Sequence, residues 1–363
     1  MTNPFIGMPV TLRRVVFTAL SAIVYLLQVP TAILLGIVLF AFGKKTDRKR
    51  EIYHRYINAI YRLDMKIMPG VKHHIENAHG EDFSKGGIMI CNHQSFLDSM
   101  CLMILTPKLL IAANDNVWRN IVIRNILKFA DFYPMSKGLA EGATHFRKFI
   151  DKGYLVVVFP EGERSQNCDI LRFHRGAFYL AEELQCDLLP VFIHGVGHVM
   201  PKGCAWLNRG KILIEVGKRI PAVGRREYAV LAKEMRHFYN AHYAELRQKI
   251  EVSRYFNYCV QGLYLYAGCV AAWQVKRLLG LHDCYSELVD GQFVEDTVIV
   301  KGDKYGVVGL LFALVHNDKQ VISDDRRGWL SAIRQRCQSF PPNLSIVTNP
   351  EVCANSRIVE CDS

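Results

Sequence analysis

The central part of the chain alternates short apolar segments with amphipathic ones, and this alternation constrains the fold more than any other feature. The apolar segments have the length and residue types of buried β-strands, and they lie at residues 71–76, 87–91, 109–113, 155–159 and 188–194. Helical periodicity occurs between them, at residues 118–129, 139–152 and 175–184. The pattern predicts an α/β domain with a largely parallel sheet flanked by helices.

A first polar motif, CNHQSFLDSM, places His93 directly after a predicted strand and Asp98 five positions later. Loops at the carboxyl ends of parallel strands are where ligands usually bind. An imidazole is a base at neutral pH, and a carboxylate on its other nitrogen fixes the tautomer and stabilises the cation. We therefore expect His93 to take a proton from a hydroxyl while Asp98 orients it, with Ser95 as a plausible helix N-cap. For this pair alone, simple helix capping is the alternative.

A second motif, VVVFPEGERS, follows another predicted strand. Pro160 and Gly162 are typical of a turn, and Glu161 and Arg164 bring an acceptor and a planar five-donor group to it. Arginine can bind two oxygens of a phosphate at once, so the motif is a candidate phosphate-binding loop, with a salt-bridged surface turn as the alternative. Together the two motifs suggest transfer of a group onto the hydroxyl of a phosphorylated alcohol.

The motifs resemble the NHxSxxD and FPEGTRS blocks of the glycerolphosphate and 1-acylglycerol-3-phosphate (lysophosphatidic acid) acyltransferase family. The resemblance covers about residues 70–220 and implies the acyltransferase fold, with His93 and Asp98 as the catalytic pair of an HX4D motif. It also implies a set of residues that bind the acceptor: Glu161, Gly162, Arg164 and Ser165.

Two departures from the family pattern concern the same site. In DFYPMSKG, Lys137 stands where the family has a phosphate-binding arginine, which keeps the charge but loses the bidentate geometry. We retain Lys137 as a candidate substrate-binding residue. Glu163 replaces the threonine of FPEGTRS, a change that the sequence does not explain.

The N-terminal residues 15–42 are apolar and almost uncharged, and basic residues follow them. A membrane span needs about 20 apolar residues, so this segment can form one tilted helix or a hairpin of two half-helices broken near Gln28 and Pro30. The positive charge after it predicts that the remaining chain lies on the cytoplasmic side. Residues 44–68 have helical spacing that fits either a basic helix on lipid headgroups or a helix packed on the core.

Composition limits the classes of ligand and cofactor that this 363-residue chain is expected to bind. Its net charge is +11, but it lacks long Lys/Arg blocks interleaved with exposed aromatic residues, so anionic lipid, phosphate or CoA fits better than nucleic acid. Its 11 cysteines form no CxxC pair, which indicates neither a zinc site nor a disulfide framework. Gly195 and Gly197 disfavour a helix that would present His194 and His198 to a metal, so we assign no metal there. Direct transfer of an acyl group onto a hydroxyl needs no metal or redox cofactor.

Residues 251–363 begin with an aromatic helical segment and continue with a β/α/β/α/β pattern from residue 297 to residue 347. They resemble the opening half of an S-adenosylmethionine-dependent methyltransferase, with VIVKGDKYG at the glycine-rich turn and Asp324 and Asp325 near the ribose position. Val300 replaces the acidic residue of the first strand, and Lys304 replaces a glycine whose lack of a side chain makes room for the cofactor. We predict a truncated, Rossmann-like, non-catalytic segment that frays from about Cys353.

The sequence thus predicts three regions: a membrane-associated segment at 1–68, an acyltransferase domain at 69–250 and a degenerate methyltransferase-like segment at 251–363. The apolar segment and the positive charge after it predict a membrane-bound enzyme on the cytoplasmic face of the cell (inner) membrane. It would move a fatty acyl group from acyl-CoA or acyl carrier protein to a lysophospholipid, above all 1-acylglycerol 3-phosphate, giving phosphatidic acid. The alternatives are an O-acyltransferase for another lipid or glycolipid, and a non-catalytic lipid-binding protein.

Overall fold

The computed structural model describes residues 3–41, 43–113, 115–222, 227–280, 288–347 and 355–361. These residues form two compact units. The central unit is Leu12–Tyr243, and the C-terminal unit joins the residues up to Thr11 to those from Ala244 onward. This division differs from the predicted boundaries at 68 and 250, because residues 12–68 pack on the central sheet and Phe5 packs on Phe256 of the C-terminal unit.

The helices of the central unit are α1 Leu12–Phe40, α2 Asp47–Ile67, α3 Asp98–Met103, α4 Asp115–Trp118, α5 Ile121–Phe129, α6 Leu139–Ile150, α7 Gly176–Glu183 and α8 Val196–Val199. A further helix, α9 Tyr228–Ile250, begins in the central unit and ends in the C-terminal one. The strands of the central unit are β1 Val71–Glu76, β2 Gly87–Cys91, β3 Leu109–Ala113, β4 Tyr133–Pro134, β5 Leu155–Val158, β6 Leu188–His194 and β7 Gly210–Val216.

These strands form one sheet in the order β1-β7-β6-β2-β5-β3-β4. The five strands from β6 to β4 are mutually parallel, whereas β7 is antiparallel to β6 and parallel to β1. The prediction of a mixed α/β fold with a parallel-rich sheet is therefore confirmed. Every residue of β2, β5 and β6 is buried, as expected for central strands covered by helices on both faces.

Helix α1 is continuous through Pro30, so the structure has one long apolar helix in place of two half-helices. Small and polar side chains attach it to the central unit: Ala32 is buried, Gln28 Nε2 donates to Asp64 Oδ1 at 2.8 Å, and Gly36 lies against Phe129. The large apolar side chains that α1 exposes are leucine, isoleucine and valine. By length and composition α1 could cross a membrane.

Helix α2 buries its apolar side in the core, with Tyr53, Ile57 and Met65 all at most 5% exposed. Several of its flanking charges are paired within the unit: Lys45 and Arg50 both contact Asp131, at 2.7 and 3.2 Å. Of the two interpretations of this segment, the structure therefore favours the helix packed on the core.

The structure corrects the prediction of a loop between His194 and His198, where it has the short helix α8. Gly195 adopts φ 86°, ψ −20° and starts a single helical turn over Val196–Val199. The expectation that glycine would exclude a helix between His194 and His198 is therefore wrong, because a left-handed glycine can begin a turn as well as end one.

The C-terminal unit has the helices α10 Ser253–Leu263, α11 Cys269–Gly280, α12 Val307–Val315 and α13 Trp329–Arg336. Its strands are β8 Thr297–Lys301, β9 Gln320–Ser323, β10 Leu344–Ile346 and β11 Ser356–Glu360. They form a four-stranded sheet in the order β10-β9-β8-β11, with each pair parallel. The predicted fraying from Cys353 is wrong for residues 356–360, which pair with β8, while Cys353 itself lies outside the described residues.

Candidate active site

Two neighbouring strands bring the polar motifs together. β2 and β5 pair in parallel, so the loops that follow them leave the same edge of the sheet. His93 lies in the loop after β2, and Glu161 lies in the loop after β5. The backbone connects the loops directly, because Ser165 N–H donates to the His93 carbonyl at 2.7 Å.

Asp98 is the first residue of α3 and is fully buried. Its Oδ2 lies 2.6 Å from His93 Nδ1 and also accepts the backbone N–H groups of Gln94 and Ser95, at 2.7 and 2.8 Å. These bonds hold a buried carboxylate in one position at a helix N-terminus, where negative charge is favourable. Ser95 is not the N-cap that was predicted, because the helix begins later and the Ser95 hydroxyl donates to the Met200 carbonyl at 2.8 Å.

The His93 ring is fixed on two sides. It stacks on Phe159 with ring centroids 4.1 Å apart, and the side chain is 21% exposed. Because Nδ1 faces Asp98, the neutral ring carries its proton on Nδ1 and its lone pair on Nε2. Nε2 has no hydrogen-bond partner in the described part of the chain, and it is the atom available to a ligand.

Glu161 is 3% exposed, and both its oxygens accept backbone N–H groups. Oε1 accepts from His93 at 2.7 Å, and Oε2 accepts from Leu171 at 2.8 Å. Burial raises the pKa of Glu161 to about 8, against the effect of these two bonds, which favour the carboxylate. The geometry therefore favours a positioning role that ties the two loops together over direct contact with a substrate.

The rest of the second motif shapes this loop. Gly162 has φ 71°, and a Cβ at this position would lie 3.1 Å from the His174 ring. Ser165 is 2% exposed, and its hydroxyl donates to Asn167 Oδ1 at 2.9 Å. Arg164 is half-buried, and within the described ranges of the chain its guanidinium has no ion-pair partner. Arg164 is thus the cation of this motif that can receive an anion.

Lys137 is not brought into contact with these residues. It ends a 3₁₀ turn that follows β4, and two strand spacings, or about 10 Å, separate β4 from β5. Its side chain is 57% exposed, and Nζ lies 3.5 Å from Glu141 Oε1. Lys137 therefore lies at the same edge of the sheet, two strands from the second motif.

Two buried amides support the site: Asn92, which belongs to the NHxSxxD block, and Gln94, which was not singled out from the sequence. Asn92 exchanges hydrogen bonds with the Ile193 backbone of β6, at 2.8 and 2.9 Å. Gln94 Nε2 donates to the Cys168 carbonyl at 3.1 Å and to the Tyr243 hydroxyl. The signal available in the sequence was two amide side chains beside His93, at the end of a fully apolar strand.

Comparison with known proteins agrees with this geometry. Residues 71–194 match the family model described as Acyltransferase. The chloroplastic 1-acyl-sn-glycerol-3-phosphate acyltransferase of Arabidopsis thaliana is 25% identical over 60% of this chain and 62% of its own length. A 1-acyl-sn-glycerol-3-phosphate acyltransferase of Chlamydomonas reinhardtii is 28% identical over 58% of this chain and 64% of its own. The chain thus spans less than two thirds of the length of these relatives.

A solved structure is similar in fold. The crystal structure of the 1-acyl-sn-glycerophosphate (LPA) acyltransferase PlsC from Thermotoga maritima matches with a TM-score of 0.53 and 18% sequence identity. The match covers 63% of this chain and 97% of that one. Residues 71–194 therefore match an acyltransferase family model, within a fold that resembles this solved structure.

Proposed function

We propose that this protein transfers a fatty acyl group from an acyl thioester to the free hydroxyl of a lysophospholipid, with 1-acylglycerol 3-phosphate as the preferred acceptor. The observation that carries the proposal is the 2.6 Å contact of His93 Nδ1 with a buried, triply hydrogen-bonded Asp98, which leaves Nε2 free. The names of the similar proteins support the choice of acceptor.

The reaction needs only the residues of this site. His93 Nε2 would take the hydroxyl proton as the acceptor oxygen attacks the thioester carbonyl, and Asp98 would stabilise the imidazolium that forms. The tetrahedral intermediate then expels the thiolate, which takes the proton from His93. The new ester bond replaces the thioester bond, and no acyl-enzyme forms. Cys91 and Cys101, near this motif, are poor nucleophiles because burial raises the pKa of both thiols.

The acceptor phosphate would bind Arg164, whose guanidinium can engage two phosphate oxygens. Glu161 would hold the arginine loop against the His93 loop, so that the acceptor hydroxyl and its phosphate are placed together. Lys137, about two strands away, is better placed for a more distant anionic group than for the same phosphate oxygens.

Membrane association is proposed from α1. Leu12, Leu26 and Leu27 are 80%, 64% and 68% exposed, whereas the opposite side of the helix is fastened to the central unit. A helix that is attached along one side and apolar on the other is suited to lie within one leaflet, with the catalytic unit on the membrane surface. The positive charge after α1 supports the cytoplasmic face of the membrane.

We also propose that the C-terminal unit is a degenerate, Rossmann-like methyltransferase module that holds no S-adenosylmethionine. The place where a cofactor would meet the start of α12 is filled by Asp303, which accepts the N–H groups of Val307 and Gly309 at 3.0 and 2.8 Å. At Gly306, a Cβ would lie 2.3 Å from the Leu330 side chain, so the turn is closed by the protein itself.

The acidic residue after β9, Asp325, is also bound by the protein itself. Asp325 Oδ2 accepts the backbone N–H and the hydroxyl of Ser331, at 2.9 and 2.8 Å, and thereby caps α13. Calorimetric titration of the full chain with S-adenosylmethionine should give no binding heat, and micromolar binding would refute this part of the proposal.

The acyl-transfer proposal is tested with purified protein, a labelled acyl-CoA or acyl carrier protein, and a panel of lysolipids that includes lysolipids without phosphate. Wild type should acylate 1-acylglycerol 3-phosphate, and His93→Ala should reduce the rate by about 10²- to 10⁴-fold, the usual contribution of a general base. His74→Ala, at an exposed histidine of β1, is the matched control and should leave the rate unchanged. Absence of turnover with every lysolipid, or an unaffected His93→Ala rate, contradicts the proposal.

A further inference from the structure

A basic pocket lies on the central unit between the loop that precedes α7 and the helix α9. It has a volume of about 520 Å³. Its basic residues come from two elements that are distant in sequence: Arg172, His174, Arg175, Lys233, Arg236 and His237. The remaining lining residues are Phe173, Ala229 and Ala232, so the described lining contains no acidic side chain.

The charge of this pocket is not neutralised internally. Arg172, Arg175, Lys233 and Arg236 are all exposed, and none of them forms an ion pair with a residue that the structure describes. Concentrating four permanent cations in one concave surface is unfavourable without a counter-charge, and a concave wall with one sign of charge attracts ligands of the opposite sign. The pocket is thus suited to a ligand with several negative charges.

The segment that lines the pocket is hydrogen-bonded to a loop of the candidate active site. His174 N–H donates to the Pro160 carbonyl at 2.7 Å, and the His174 ring lies against Gly162. Next to Arg172, Leu171 N–H donates to Glu161. The lining segment is therefore attached to the same loop that positions His93.

We infer that this pocket binds the phosphorylated nucleotide end of an acyl-CoA donor, while the pantetheine arm carries the thioester to His93. This inference rests on the proposed acyl transfer and specifies its donor. Several phosphate groups match the clustered arginines and lysines, and a nucleotide matches the volume, which is in the range of ordinary small-molecule sites. The acidic surface of a carrier protein would instead need a broad open face.

The first test measures binding directly and does not depend on catalysis. Adenosine 3′,5′-bisphosphate and CoA are titrated into the full-length wild-type protein by calorimetry. We expect both to bind, and we expect dephospho-CoA, which lacks one phosphate, to bind more weakly than CoA. Absence of heat with both adenosine 3′,5′-bisphosphate and CoA overturns the inference, whatever the catalytic activity of the protein.

The second test locates the site. Arg175→Glu/Lys233→Glu should weaken binding of adenosine 3′,5′-bisphosphate about tenfold or more and raise KM for acyl-CoA by a similar factor. The kcat and the KM for the lysolipid should change little, because His93, Asp98 and Arg164 are intact. Lys72→Glu/Lys211→Glu, at exposed lysines of β1 and β7, introduces the same change of charge and should leave all of these quantities unchanged.

The outcomes separate this inference from the proposed function. Activity with acyl carrier protein but no binding of CoA or the bisphosphate would refute the nucleotide pocket and leave acyl transfer intact. Binding of the bisphosphate without acylation of any lysolipid would refute acyl transfer. If the double variant is unfolded by circular dichroism, the single variant Lys233→Ala replaces it, and unchanged binding in a folded single variant counts against the location.

Discussion

Asp98 and Asp303 occupy equivalent places in the two units of this protein. Each aspartate follows a buried parallel strand, each is at most 4% exposed, and each accepts two backbone N–H groups near the start of a helix. Asp98 has one further partner, His93, whose Nε2 is open to a ligand. Asp303 has only backbone partners among the hydrogen bonds of the described residues.

The difference between the two loops is accessibility. In the central unit the buried carboxylate orients a second side chain that is 21% exposed, so its charge acts on a group that a ligand can reach. In the C-terminal unit the Leu330 side chain lies 2.3 Å from where a Cβ of Gly306 would be, and the carbonyl of Cys361 lies 2.5 Å from where a Cβ of Gly302 would be. A strand, a turn and an acidic residue thus build an accessible candidate site in one unit and a closed turn in the other.

The largest expected effect on activity, and the strictest test of this difference, concerns Asp98. Asp98→Asn keeps the shape but removes the charge that stabilises the His93 imidazolium, so the acyl-transfer rate should fall roughly 10²-fold or more. Circular dichroism should be unchanged, which separates loss of the charge from loss of the fold. A folded Asp98→Asn variant with wild-type activity would show that Asp98 only caps α3.

Asp303 should affect stability and not catalysis. An amide at this position can accept at one atom only, so Asp303→Asn leaves a backbone N–H of α12 unpaired and should cost about 1–3 kcal/mol locally. Amide hydrogen exchange of residues 307–315 should accelerate accordingly, while the acyl-transfer rate stays within about twofold. Asp318→Asn, at an exposed aspartate, is the control and should alter neither quantity. A large loss of activity in Asp303→Asn would contradict the assignment of a structural role.

A smaller expected effect is a difference between the two loops in how their stability depends on pH. Burial raises the pKa of Glu161 to about 8 and that of Asp303 to about 6, from usual values of 4.5 and 3.8. A carboxyl whose pKa is raised by folding binds more protons in the folded state, so its stabilising contribution is complete below the usual pKa and is lost as pH rises through the folded pKa. The C-terminal unit should therefore lose stability between about pH 4 and 6, and the central unit should continue to lose it up to about pH 8.

This pH prediction is checked by hydrogen exchange at several pH values in wild type and in Glu161→Gln, which has no titrating group at position 161. The loss between pH 6 and pH 8 in residues 161–171 should disappear in Glu161→Gln and persist in Glu163→Gln. Glu163 is a suitable control because its side chain is 69% exposed and pairs with Lys202. An identical pH dependence in wild type and Glu161→Gln would mean that Glu161 does not titrate in this range.

The sequence predicted several strands with their observed bounds. β2, β3 and β6 begin and end where the pattern placed them, because a strand covered on both faces is apolar throughout. β1 also has the predicted bounds, although Val71 is its one buried residue. β7 and β11 were not predicted. β7 begins with a half-buried glycine and an exposed lysine, and β11 has one buried residue of five. Each strand therefore depends on pairing with a neighbour, which periodicity cannot reveal.

The candidate site was predictable where it depends on neighbours in sequence and not where it depends on distant ones. The approach of His93 to Asp98 follows from their spacing across one turn, and the structure has the two side chains in contact. The bonds of Glu161 to His93 and Leu171 were not foreseen, because they require the packing of two loops that meet only in the folded sheet. The basic pocket likewise joins residues near 173 to residues near 233.

The attachment of α1 has a consequence for how the rate would depend on the lipid phase. Thr18 Oγ1 accepts the Leu207 N–H at 2.9 Å near one end of α1, and Phe40 stacks on Phe129 at the other. Because α1 is held at both ends, insertion of α1 in a bilayer, as proposed above, would leave the central unit no flexible tether on which to move away from the lipid. Encounters with the acceptor would then be two-dimensional, and turnover should follow the mole fraction of lysolipid among the surrounding lipids and not its bulk concentration.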